Sequence, residues 1–282
     1  MQRYAAWSSA FGGWTSQSGD RNAASTRSGI GGFMTGIDAS VSDDWRFGVL
    51  AGYSRSTFNV GSSSSSGRSD NYTFGTYAGT EWSVPEGAIA FRSGIAYTWH
   101  DLEMSRNVAF PGFNDNLISD YDAGTFQSFG ELGYKVHLGN WSVIDPYANL
   151  AHVRVATNAF SERGLNGAAL DIHADTMQTT LSTLGVYGTT RLQLGDIATT
   201  ARADVGWRHA VGDRIPLSTA SFAAGSSAFV ASGVSIGKDV TLVESGLNFQ
   251  LSRESTLGIA YQGQFGSGVT QNGFNAIFNV KF

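Results

Sequence analysis

A two-residue rhythm constrains this chain more than anything else in it. From Trp45 the sequence reads W-R-F-G-V-L-A-G-Y, which puts Trp45, Phe47, Val49, Ala51 and Tyr53 at every second position. Tyr72, Phe74, Thr76, Ala78 and Trp82 repeat the pattern opposite Asn71, Thr73, Gly75, Gly79 and Glu81. Ile89, Phe91, Ile95, Tyr97 and Trp99 make a third such face, backed by Ala88, Arg92, Gly94, Thr98 and His100. Ala201, Ala203, Val205 and Trp207 alternate in the same way with Arg202, Asp204, Gly206 and Arg208. Successive side chains of a strand point to opposite faces, so period two means β-strand.

The make-up of the two faces then decides the solvent. A soluble sandwich buries its apolar face and wets a polar one rich in charge. Here the polar face is rich in glycine with isolated Arg, Glu, Asp and Gln, while the apolar face carries large aromatics toward the strand ends. Aromatic girdles at two lipid boundaries around a polar lumen account for that distribution. Charged residues are only 15 % of the 282, against about a quarter in ordinary soluble domains, which fits a wall with one face in lipid. No run of 18 apolar residues occurs, so a helical span is excluded; strand spans are not. The chain has no cysteine, which removes disulfides, thiolate metal sites and a catalytic thiol. A net charge of −5 with 18 Lys+Arg and no basic block speaks against a nucleic-acid partner.

The pattern predicts about twelve strands, at roughly 5–16, 29–42, 45–60, 69–83, 87–106, 122–138, 141–157, 176–194, 197–211, 239–251, 255–266 and 273–282. Their connections alternate in length. Short turns fall at Ser42-Asp43-Asp44, Val84-Pro85-Glu86-Gly87, Gly139-Asn140, Gly195-Asp196 and Ser252-Arg253-Glu254. Long polar segments fall at Ser16–Ser28, Gly61–Ser69, Asn107–Asp122, Asn158–Asp175, Gly212–Lys238 and Gly266–Gly273, and the serine run Ser62–Ser66 reads as flexible external loop. Short periplasmic turns and long outer loops are the outer-membrane arrangement, and an even strand number returns both ends to the periplasmic side. A closed ring leaves no backbone edge unsatisfied in lipid. The expected fold is therefore an all-β, transmembrane, antiparallel up-and-down barrel of about twelve strands, a single unit over residues 1–282.

The final segment is the most specific local signal. Phe274, Ala276, Phe278, Val280 and Phe282 alternate with Asn275, Ile277, Asn279 and Lys281. It resembles the terminal recognition strand that outer-membrane proteins present to the barrel-assembly machinery, with Phe278, Val280 and Phe282 as the signal. That pattern usually has glycine where Ile277 stands, so a more filled lumen is expected there.

At the other end, Trp7-Ser8-Ser9-Ala10-Phe11-Gly12-Gly13-Trp14 precedes a polar loop and Gly31-Gly32-Phe33-Met34-Thr35-Gly36-Ile37-Asp38. Trp45 to Ser54 and Asp145-Pro146-Tyr147-Ala148-Asn149-Leu150 follow. In this order the segments resemble the autotransporter β-domain, the translocator of type V secretion, across essentially the whole chain. The resemblance implies a monomeric twelve-stranded barrel in the Gram-negative outer membrane with a narrow hydrophilic pore. It implies as partners the protein's own passenger and the linker helix that threads the pore, the assembly machinery, periplasmic chaperones, and outer-membrane lipid with lipopolysaccharide. No cofactor is implied. The sequence starts at the first strand without a linker helix, and Met1-Gln2-Arg3-Tyr4 has no signal core, so Met1 is expected to open an excised segment.

Alternation nominates the lumen wall: Asp38, Glu81, Arg92, Glu131, Lys135, Arg191, Arg202, Asp204, Arg208, Glu244, Gln262, Gln264 and Lys281, with Tyr77, Asn248, Gln250, Asn275 and Asn279 beside them. Both signs are present, so pairs and networks can offset the loss of bulk water. These groups either offer a wet surface to a polypeptide or satisfy one another and fix the barrel's shape. Arg202, Asp204 and Arg208 are the favoured electrostatic cluster. Gly12, Gly36, Gly48, Gly52, Gly75, Gly79, Gly94 and Gly206 are expected inward, admitting neighbouring aromatics or permitting bends, with Gly12-Gly13 the expected kink.

An enzyme is not expected. Neither a Gly-x-Ser-x-Gly elbow nor a His-Glu-x-x-His pair occurs, and no metal site is expected. His100, His137, His152, His173 and His209 are scattered. His173 with Asp175 in a long loop could pair across the pore mouth with another segment, but a solvated loop histidine is the commoner case. A small porin and a loop-mediated adhesin are the alternatives, the latter through the long loops Asn107–Asp122 and Gly212–Lys238, the second of which carries the apolar stretches 220–224 and 228–231.

Overall fold

The computed structural model describes residues 4–20, 23–42, 45–61 and 65–282. The elements are β1 (Tyr4–Gln17), β2 (Thr26–Ser40), β3 (Trp45–Val60), β4 (Ser65–Val84), β5 (Gly87–Phe110), β6 (Phe113–Leu138), β7 (Ser142–Thr157), β8 (Phe160–Ser161), β9 (Leu170–Ile172), β10 (Asp175–Leu194), β11 (Ile197–Gly212), β12 (Leu217–Phe222), β13 (Phe229–Ser232), β14 (Asp239–Gln250), β15 (Ser255–Gly266) and β16 (Val269–Lys281). Twelve of them close into a barrel in the order β1-β16-β15-β14-β11-β10-β7-β6-β5-β4-β3-β2. Every pairing is antiparallel, including the seam, where Ala5 faces Lys281 and Phe11 faces Asn275. The backbones of Tyr4 and Phe282 exchange bonds in both directions, at 3.1 and 3.0 Å.

The outer face is a lipid band. Tyr53 lies 5.5 Å from Tyr72 and 6.2 Å from Phe33 between ring centroids, forming one belt. Trp45 contacts Phe47, Trp82 and Phe91 at 5.6, 6.3 and 6.3 Å, forming a second. Tyr72 and Trp82 are ten positions apart on β4. At about 3.3 Å per residue and about 40° of tilt the belts stand roughly 25 Å apart, the height of the apolar band of an outer-membrane barrel.

Beyond that band the structure departs from the expected loops. Asn107–Asp122 is the end of a long hairpin: β5 runs to Phe110, β6 starts at Phe113, and the turn passes through Gly112 at φ +86°. Once strands leave lipid either face can be polar, so the alternation fades while the backbone ladder continues. Gly266–Gly273 likewise reduces to a tight turn with Gly268 at φ +77°. Of the serine run, 62–64 lie outside the described residues, whereas Ser65 and Ser66 belong to β4, opposite Val60 and Asn59. Residues 43 and 44 of the expected turn at 42–44 also lie outside the described residues. The segments 158–175 and 212–238 supply β8, β9, β12 and β13, a second sheet in the order β13-β12-β9-β8. That order repeats β14-β11-β10-β7 beneath it, so the sheet prolongs one side of the wall outward. His173 takes part through its backbone, its N–H donating to the Thr219 carbonyl at 2.9 Å.

The β5–β6 hairpin holds that extension. Arg106 bonds both carboxylate oxygens of Glu162, at 2.8 and 2.5 Å. Asp115, buried, accepts the backbone N–H groups of Leu165, Asn166 and Ala168 at 3.0, 3.0 and 3.2 Å. Burial pushes the Asp115 carboxyl up. The N–H donors of Leu165, Ala168 and Asn166, helped by Arg106, outweigh it and hold the group below its ordinary value.

Candidate transport lumen

Twelve strands about 4.8 Å apart and tilted about 40° enclose a backbone cylinder roughly 24 Å across. Side chains from opposite walls consume several ångströms each, so the free width is that of one helix, about 10–12 Å. Bulky inner residues must therefore lie flat, and glycines make that possible. Trp7 lies over Gly36 of the paired strand, Tyr77 over Gly48, and Tyr147 over Gly185; an added Cβ would come within 2.6, 2.2 and 2.5 Å of these side chains. Gly94 receives Phe129 in the same way. Gly12 does not face inward, because it pairs with Phe274, whose side chain stands on the outer face. Pairing runs through Gly12 and Gly13 without a break, so no bulge interrupts the strand there. Ile277 lies against Gly258, where a Cβ would meet it at 2.9 Å.

Hydrogen bonds that skip a strand locate the concave side, where inner side chains converge. Trp7 Nε1 donates to the Tyr77 hydroxyl at 2.7 Å, which donates to Asp38 at 2.7 Å. Asp38 also pairs with Arg46. Lys135 reaches from β6 to Glu81 on β4. Arg92 on β5 holds Glu131 at 2.6 Å and Asp145, two strands away on β7, at 3.0 Å. Asn149 donates to Glu131 at 3.2 Å, and Tyr187 stacks on Tyr147 at 4.3 Å under the Arg92 guanidinium. The Tyr147 hydroxyl donates to Asp204 at 3.3 Å.

The favoured trio on β11 is thus not a cluster of mutual contacts. Arg202 pairs with Glu244 at 3.1 Å, Arg208 donates to Gln264 at 3.2 Å, and Asp204 turns to Tyr147. Gln262 donates to Glu244 at 2.8 Å. Arg191 and Lys281 sit near the periplasmic ends of β10 and β16 with exposed side chains. The Arg92 centre draws on Asp145, Tyr147, Asn149 and Tyr187, which the reading of charges along single strands does not nominate; Asp145, Tyr147 and Asn149 stand at alternate positions of one strand, the signal that would have found them. Three spaces of ≈ 850, 450 and 240 Å³ lie among these groups, and Glu131 and Tyr187 line all three.

Comparison with known proteins decides the family. The model of the autotransporter β-domain matches residues 6–262. This chain belongs to the autotransporter β-domain family. It is 30 % identical over 281 residues, 98 % of its length, to an extracellular serine protease of Serratia marcescens, and it spans 26 % of that relative. The translocator domain of the autotransporter NalP from Neisseria meningitidis superposes with a TM-score of 0.76 at 12 % identity, over 100 % of this chain and 89 % of that one. The β-domain of the Bordetella autotransporter BrkA gives 0.71 at 18 %, over 99 % of this chain and 100 % of that one. At these identities the structures share the fold. The autotransporter β-domain is a closed barrel of the Gram-negative outer membrane, and this chain has that architecture.

Proposed function

We propose that this β-domain anchors in the outer membrane and supplies the hydrophilic route by which an N-terminal passenger reaches the cell surface. The family match over residues 6–262 carries the reading. The geometry supports it: the inner wall is lined by glycines, hydroxyls and charges, many of them paired with one another, so a polypeptide meets a polar surface. A linker helix is the expected occupant of the lumen, and the free width suits one helix. We further read residues 1–282 as one barrel unit without catalysis of its own, its outer face in contact with lipid and lipopolysaccharide. Phe278, Val280 and Phe282 are read as the signal to the assembly machinery, after escort by periplasmic chaperones.

The test is a fusion of signal peptide, epitope-tagged reporter, helical linker and this chain, expressed in a Gram-negative host. External protease is expected to remove the epitope from intact cells. An assembled barrel with the epitope retained in the periplasm would overturn the proposal.

A further inference from the structure

We infer that the outer face between β6 and β10, at the height of the extracellular aromatic belt, is a seat for the phosphorylated headgroup of an outer-leaflet lipid, built from Arg154, His152 and Thr180. The inference rests on the outer face standing in lipid and names the lipid chemistry that one sector of it takes. The belt runs from Phe33 and Tyr53 through Tyr72 to Tyr97 and Trp99, and Tyr97 pairs with Phe126 on β6. There it stops. Phe126 pairs with Arg154 on β7, and Arg154 with Gln178 on β10. The rings of these two strands, Tyr147 and Tyr187, stack on each other inside the lumen, and outward aromatics resume at Trp207 on β11.

What fills the gap is a set of donors. Arg154 is exposed and has no hydrogen-bond or ion-pair partner among the described residues. Arg55, Arg68 and Arg163, by contrast, each hold a carboxylate, on Asp70, Glu103 and Asp120. Two positions nearer the periplasm, Ser128, His152 and Thr180 stand side by side. His152 Nδ1 lies 3.1 Å from the Thr180 hydroxyl, which fixes the ring. That contact leaves Nε2 without a protein partner, and Nε2 carries the proton when Thr180 donates to Nδ1. The surrounding acids are engaged or distant. His209 on β11 pairs with Asp239 at 2.8 Å, and Asp213 accepts the backbone N–H of Gln178 at 2.9 Å. Asp122 stands on β6 four residues farther out than Phe126, about 13 Å along the strand. A guanidinium fork with an imidazole N–H beside it matches phosphate oxygens, and a lipid boundary is where anionic headgroups lie. Below the donors the surface recedes at Ser128 and Gly130, between the exposed Ile95 and Leu150, leaving a furrow for an acyl chain that continues from the headgroup seat.

The probe is dilauroyl phosphatidic acid, added to the refolded 282-residue chain in detergent, with bound lipid counted by native mass spectrometry. Dilauroyl phosphatidylcholine and inorganic phosphate serve as references. Phosphatidic acid is expected to bind as a single tight equivalent, phosphatidylcholine more weakly, and inorganic phosphate is expected not to displace the lipid. Arg154→Gln is expected to weaken phosphatidic acid about tenfold and His152→Gln about threefold, in line with the loss of a charge-assisted fork and of a single hydrogen bond. Arg68→Gln, on the same outer face but paired with Glu103, is expected to leave binding unchanged. Equal affinity for the two lipids, or undiminished binding in Arg154→Gln, would overturn the seat. Should Arg154→Gln fail to refold, undiminished binding in His152→Gln overturns it instead. Displacement of the lipid by inorganic phosphate at matched concentration would overturn the lipid as its occupant. The readout uses no passenger, so a failure of export in the fusion assay counts against the conduit alone.

Discussion

Arg92 is the side chain that holds two of the lumen's buried acids. Glu131 and Asp145 keep side-chain exposures of 8 and 7 % and both rely on its guanidinium, itself 38 % exposed. Arg92→Met strands two buried acids. Breaking a buried pair costs about 3–5 kcal/mol, and the partial exposure of Arg92 lowers the expectation to about 2 kcal/mol. Urea unfolding in detergent should show the loss, and Glu131→Gln in the same background should recover part of it. Gly48 makes a sharper claim, because a Cβ there falls within 2.2 Å of the Tyr77 ring. Gly48→Val should displace Tyr77 from Asp38 and Trp7 at a cost of about 1–3 kcal/mol, visible as a lowered unfolding midpoint and altered tryptophan fluorescence. Alternation alone put Asp38, Arg92, Glu131 and Asp204 on the inner face. It could not say who pairs with whom, since Arg92 meets Asp145 across an intervening strand and that contact depends on barrel shear.

Strands inside the lipid band were readable because lipid enforces the alternation; those outside it were not. Val49, Phe74, Ile95 and Trp207 each mark an outer face, whereas the upper halves of β5 and β6 carry Asp101, Glu103, Asp115 and Asp120 on a ladder that needs no apolar stripe. The short strands β8, β9, β12 and β13 escaped for the same reason, being two to six residues long. Their support makes a prediction of its own. Asp115→Asn removes the charge that three N–H groups hold, so the segment 163–168 should become open to limited proteolysis at neutral pH while the barrel stays folded. In the parent chain the carboxyl sits below its ordinary value. Its contribution is complete above the usual carboxylate range, about pH 4, and is lost as pH falls through the lower folded value. Protection of the segment against an acid-active protease should therefore persist at pH 5 and fade only below about pH 4.

The barrel as a whole depends on one join. β1 meets β16 along thirteen register pairs, from Ala5 with Lys281 to Gln17 with Val269, and Tyr4 and Phe282 exchange both backbone bonds with rings 6.1 Å apart. Deleting Phe282 should lower the fraction of chains reaching the compact, heat-modifiable form, while the chains that do assemble should export a fused reporter normally. Export lost in proportion among assembled barrels would place Phe282 in transport instead.

That join also sets an order of events. Eleven of the twelve neighbouring pairs around the ring can zip as soon as their second strand exists, at separations of a few tens of residues. Ala5 and Lys281 are brought together only across almost the whole chain, with the largest loop-closure entropy in the molecule and the contact range that slows folding most. Until β16 is made, every intermediate is an open ribbon with two bare edges, and such edges recruit strands from other chains. The protein is thus committed to a last step that its first eleven barrel strands cannot hasten, and the interval before that step is when it is most in need of protection.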